Sequence, residues 1–129
     1  MSYHFNVNVI GNIHLINLFV PLIKRGGLKK ILVVSSGMGD PNFVVEENVK
    51  MQTPYAVSKA ALNMAVAKYH VQYKSEGILI MAISPGLVET GGYNSFESLS
   101  AIALIIKSFN LTGGKKPQSS LQISKRWVL

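Results

Sequence analysis

The sequence predicts an α/β protein, a parallel sheet with helices laid against it, and three observations carry that reading. Segments with the length and apolar pattern of helix, strand, helix and strand follow one another along the chain. Both strand segments are short, continuous apolar runs, as expected of strands covered on two faces. Each run ends in a turn of small residues, Ser35-Ser36-Gly37 in the first case and Ser84-Pro85-Gly86 in the second.

The first helix is expected from about Phe5 to Lys24. Its apolar residues, among them Val9, Ile10, Ile13, Ile16, Val20 and Ile23, cover more than one face, which predicts burial on two sides. Lys24 and Arg25 suit its last turn, Gly26-Gly27 stops it, and Pro21 is expected to kink or break it. Ile31-Leu32-Val33-Val34 is the first strand. The polar stretch from Asp40 to Thr53 reads as an irregular loop covering a site. Thr53-Pro54 then opens a second long helix to about Lys74, with Thr53 as cap and Pro54 at its first position. Its apolar stripe includes Ala61, Leu62, Ala65, Val66 and Tyr69, and its many alanines permit close approach of another helix. Gly77 ends it, and Ile78 to Ile83 forms the second strand. Further on, Ser98 to Phe109 has amphipathic helical spacing, Gly113 to Ser120 reads as a polar tail or linker, and Leu121 to Leu129 as a short strand or a tail.

Composition narrows the function classes. The 129 residues suffice for one domain, and with 48% hydrophobic and only 15% charged residues the chain is not of a disordered type. The absence of cysteine removes disulfides, thiolate metal sites and a cysteine nucleophile, and His4, His14 and His70 have no mutual ligand spacing, so no metal is expected. The N-terminus has no basic segment leading into an apolar one, and a cytoplasmic location is the expectation. The apolar stretch from Val7 to Ile23 is interrupted by Asn8, Asn12, His14, Asn17 and Pro21, which argues against a membrane span. The net charge of +7 comes mainly from scattered pairs such as Lys24-Arg25 and Lys115-Lys116. No reading motif accompanies them, so nucleic acid is not an expected partner.

The chemistry concentrates in Pro54-Tyr55-Ala56-Val57-Ser58-Lys59. Residues four apart share one helix face, so Lys59 lies one turn from Tyr55. An ammonium there favours the phenolate, which suits the tyrosine to proton transfer near neutral pH.

Four features in this order resemble the C-terminal half of a short-chain dehydrogenase/reductase, closest to the compact fungal-type members. They are Asn8 within Asn8-Val9-Ile10-Gly11, the Ser35-Ser36-Gly37 turn, Tyr55-Ala56-Val57-Ser58-Lys59, and Ser84-Pro85-Gly86-Leu87-Val88-Glu89-Thr90. The resemblance covers about residues 5 to 92. It implies a partial Rossmann-like parallel sheet flanked by helices, and hydride exchange between NAD(P) and a small-molecule carbonyl or alcohol. By the same resemblance Tyr55 is the general acid/base and Lys59 supports it and bonds the nicotinamide ribose. Ser36 holds the substrate oxygen, with Ser35 as the alternative aligned serine. Asn8 interrupts its helix and anchors a water leading from Lys59 to solvent. Tyr55, Lys59, Pro85, Gly86, Val88 and Thr90 line the cofactor, and the two long helices form a subunit interface with a second copy or a homologue. Residues 1–92 then hold the catalytic half of the cofactor-binding domain, and 93–129 a divergent substrate-loop helix and tail.

The sequence also departs from that pattern. Members of the family hold the cofactor pyrophosphate at a glycine-rich strand–turn–helix, and none of the glycine pairs here has that spacing. The N-terminal βαβ units are missing, so the chain is expected to be inactive alone. The residues that choose between NAD and NADP are missing with them.

Overall fold

A computed structural model describes residues 1–85. Helix α1, Ser2–Arg25, is followed by strand β1, Lys30–Val34, a short helix α2, Pro41–Glu46, a long helix α3, Thr53–Tyr73, and strand β2, Leu79–Ile83. The strands are parallel and in register, with Ile31 opposite Ile80 and Val33 opposite Ala82. This is the predicted α/β arrangement. The helix expected from Ser98 to Phe109 and the strand or tail expected from Leu121 to Leu129 lie outside the described residues.

Side-chain alternation explains how the layers meet. Ile31, Val33, Ile80 and Ala82 stand on one face of the ribbon, where they join Ile16 and Val20 of α1 and Leu62 and Val66 of α3 in a single core. Leu62, fully enclosed, sits at its centre. The α3 stripe is therefore narrower than expected: Leu62 and Val66 are buried, whereas Ala61, Ala65 and Tyr69 are half-buried. Helix α1 is long and apolar enough to cross a membrane by length and composition. Its buried residues are Val9, Ile16 and Val20, while Leu15, Leu18, Phe19 and Leu22 are exposed, so the expected burial on two sides is not found.

Helix α1 is regular through Pro21 to Arg25, so the expected break does not occur there. The irregularity lies instead at Asn6–Ile10, one widened π-helical turn around Asn8.

Two further expectations are corrected. The stretch after Asp40 is not all loop, because the Asp40 carboxylate accepts the Asn42 N–H at 2.9 Å and Pro41 takes the first helical position, which starts α2. Thr53 does not cap α3. Gln52 precedes the helix in the left-handed region, φ 65°, and its carbonyl accepts the Ala56 N–H, so Thr53 is already helical. At the other end Gly77, φ 74°, lets the chain reverse into β2 in a conformation that costs other residues strain.

Candidate active site

Ser36, Ser84 and the Lys59 ammonium lie where β1 and β2 end. Ser36 follows β1 in an extended conformation and caps the tight turn Gly37–Gly39, its Oγ accepting the Met38 N–H at 3.3 Å. The Gly37 N–H donates to Ser84 Oγ at 3.0 Å, joining the turn to the end of β2. This fixes the mouth of the sheet, and the C-terminal ends of parallel strands are where open α/β sheets bind ligands.

Tyr55 and Lys59 come from the first turns of α3. The Lys59 ammonium lies 5.6 Å from the centre of the Tyr55 ring and donates to the Val34 carbonyl at 3.1 Å. Lys59 is only 8% exposed, and burial holds its pKa below the ordinary lysine value. The His4 ring packs edge-on to Tyr55 at 6.0 Å. No described residue hydrogen-bonds the Tyr55 hydroxyl.

Asn8 reaches the same helix from behind. Its Nδ2 donates to Ser58 Oγ at 2.9 Å, and the Ser58 hydroxyl donates to the Tyr55 carbonyl at 2.7 Å. Ser58 is fully enclosed, so this relay is shielded from water. The Asn8 carbonyl accepts the Asn12 side-chain amide at 2.9 Å. Asn8 is thus tied to the tyrosine-bearing turn through Ser58.

Lys59 is tied to the end of β1 two residues before Ser36, and Asn8 to the Tyr55 turn through Ser58, while Pro85 follows Ser84. Gly86, Val88 and Thr90 lie outside the described residues. Reasoning from sequence missed three participants: Ser58, His4 and Asn63. Asn63 falls four residues after Lys59 and eight after Tyr55, on the same face, and a polar residue there was the available signal. Its amide accepts the Ser35 hydroxyl at 2.5 Å.

A parallel α/β layer thus carries a serine turn at the end of β1 and a tyrosine–lysine helix tied to it. The sequence model of the short chain dehydrogenase family matches residues 2–98, and the chain belongs to that family. It is 50% identical over 91 residues to the short-chain dehydrogenase/reductase iacC of Pestalotiopsis fici, covering 70% of this chain and 34% of that protein. It is 39% identical over 125 residues to the short chain dehydrogenase virK of Hypocrea virens, covering 92% of this chain and 46% of that one. Among solved structures, a putative carbonyl reductase, Sniffer, of Caenorhabditis elegans shares the fold with a TM-score of 0.61 at 23% identity, over 82% of this chain and 47% of that one. The chain thus spans less than half the length of these relatives.

Proposed function

We propose that this chain carries the proton-transfer half of an NAD(P)-dependent oxidoreductase that interconverts a carbonyl and an alcohol, and that it is inactive by itself. The observation that supports the reading is the Lys59–Val34 bond, which ties the helix carrying Tyr55 and Lys59 to the end of β1, two residues before Ser36. The donors fit the nicotinamide-ribose end of the cofactor. An ammonium has three N–H donors, one of which Lys59 gives to Val34, leaving two for ribose hydroxyls. No glycine-rich phosphate cradle is found in the sequence, so the pyrophosphate end has no seat among these residues.

In the reduction direction NAD(P)H, when bound, would supply hydride for the carbonyl carbon. The Tyr55 hydroxyl gives its proton to the substrate oxygen as negative charge grows there. The Ser36 hydroxyl donates a hydrogen bond to the same oxygen, a neutral donor aimed at developing charge. The Lys59 cation stabilises the phenolate that the transfer leaves behind. The Asn8–Ser58 relay holds the Tyr55 turn in place while the proton moves.

The test uses the purified chain with NADH or NADPH and a panel of ketones and aldehydes. No turnover is expected from the chain alone, and turnover is expected once a segment bearing the glycine-rich strand–turn–helix of such dehydrogenases is supplied with it. Tyr55→Phe should abolish that activity. Turnover by the chain alone, or turnover indifferent to Tyr55→Phe, overturns the reading.

A second reading has its own observation. Leu15, Leu18, Phe19 and Leu22 form an exposed apolar row on α1, and Val57, Met64 and Val71, spaced by seven, form another on α3. Leu18 is 68% and Met64 66% exposed. Such rows suit helix-to-helix docking with a second copy or an intact homologue. Light scattering should show association that Leu18→Asp or Met64→Glu removes; a parent chain that stays monomeric and ignores the homologue sinks this reading.

A further inference from the structure

One side chain grips the Ser36 segment on both sides. Asn63 Oδ1 accepts the hydroxyl of Ser35, the residue just before Ser36, at 2.5 Å. Its Nδ2 donates to the carbonyl of Gly39, the residue that closes the turn, at 3.4 Å. Ser35 is buried, so its hydroxyl depends on this partner rather than on water. Asn63 is half-buried on the α3 face that also carries Tyr55 and Lys59.

The contact is close because residue 39 is glycine. A Cβ there would stand 2.8 Å from Asn63 Nδ2 and 2.8 Å from the carbonyl carbon of Lys59. The turn thus lies directly on the backbone of the residue that bears the buried ammonium. A rigid planar amide, acceptor on one side and donor on the other, is well shaped to span such a turn.

We infer that Asn63 is a positioning residue, fixing the turn that carries Ser36 against the helix that carries Tyr55 and Lys59. It touches neither substrate nor cofactor. Its importance for turnover rests on the oxidoreductase reading above; its hold on the turn does not.

The experiment compares Asn63→Leu, which loses both hydrogen bonds while keeping the same heavy-atom branching, with Asn63→Asp. The aspartate keeps the acceptor for Ser35 and, once protonated, regains a donor for Gly39. Amide exchange of the 129-residue chain is followed by nuclear magnetic resonance. In Asn63→Leu, exchange at residues 36 to 39 should accelerate at least about 10-fold while the middle of α3 keeps its protection. The Asn63→Asp spectrum should move back towards the parent at Gly39 as pH falls through the carboxyl titration, a recovery that Asn63→Leu cannot show.

In the two-part assay described above, Asn63→Leu should lower kcat by about 10- to 100-fold with the cofactor KM unchanged, the signature of a misplaced group. Unaltered exchange at residues 36 to 39 overturns the inference, and so does loss of protection spread evenly along α3. A kcat within about twofold of the parent, in an assay that Tyr55→Phe abolishes, overturns the link to turnover. Should Tyr55→Phe have no effect, the oxidoreductase reading fails and the exchange data alone decide the role of Asn63.

Discussion

The Lys59 ammonium is bonded to the backbone carbonyl of Val34, on the last residue of β1, across 3.1 Å. A side chain at the start of α3 is thereby locked to the sheet. The bond turns a flexible four-carbon stem into a fixed cation beside the Tyr55 ring, at the cost of burying a charge.

That burial gives stability a defined pH dependence. The folded pKa of Lys59 lies below its ordinary value of 10.5, so between the two values the unfolded chain binds the proton that the folded chain has released. Stability contributed at this site therefore rises with pH through that window, and the charged lysine costs stability below it. Measured as urea midpoints, the parent should gain on Lys59→Met as pH climbs towards 10.5.

Tyr55→Phe should separate chemistry from folding. No described residue bonds the phenol, so the substitution should change unfolding free energy by less than about 0.5 kcal/mol. The same change should lower turnover in the two-part assay by about 100-fold or more. Urea titration and NAD(P)H absorbance check the two halves.

Ser58→Ala should be costly for so small a change. It strands the Asn8 amide and removes the bond to the Tyr55 carbonyl in an enclosed setting, at about 1–3 kcal/mol. A double-mutant cycle with Asn8→Ala should return a coupling of at least about 0.5 kcal/mol.

Two glycines should respond in opposite ways. Gly39→Ala forces a methyl against the Lys59 backbone and should destabilise by about 1–3 kcal/mol. Gly27→Ala meets nothing within 4 Å and should be neutral or stabilising by up to about 1 kcal/mol. Thermal melts of the two variants make the comparison.

The order of elements was legible because apolar run length separates Ile31–Val34 from the long helices on either side of it. The spacing of Tyr55 and Lys59 drew notice, but their role came only from the resemblance carried jointly with Asn8, Ser36 and Ser84-Pro85-Gly86. Helix α2 was not, since six residues with little apolar pattern look like a loop unless the Asp40-Pro41 start is weighed as a cap. The start of α3 was legible but its cap was not, because the left-handed conformation of Gln52, a non-glycine residue, leaves no mark in composition. Ser58 and Asn63 went unread for a common reason. Their significance lies in partners 50 and 28 residues away, and one-dimensional periodicity does not report contacts at that range.

The parallel pairing of β1 and β2 also has a consequence for synthesis. Parallel strands cannot close as a hairpin, so Ile31 must wait for Ile80, roughly 50 residues later, before the ladder forms. At ~5–20 residues per second, a ribosome needs roughly 2 to 10 s to deliver that partner. Throughout that interval the nascent chain already contains Ser36, and later Tyr55 and Lys59, without the paired strands that hold them together. The residues of the site are made early, and the site itself is made last.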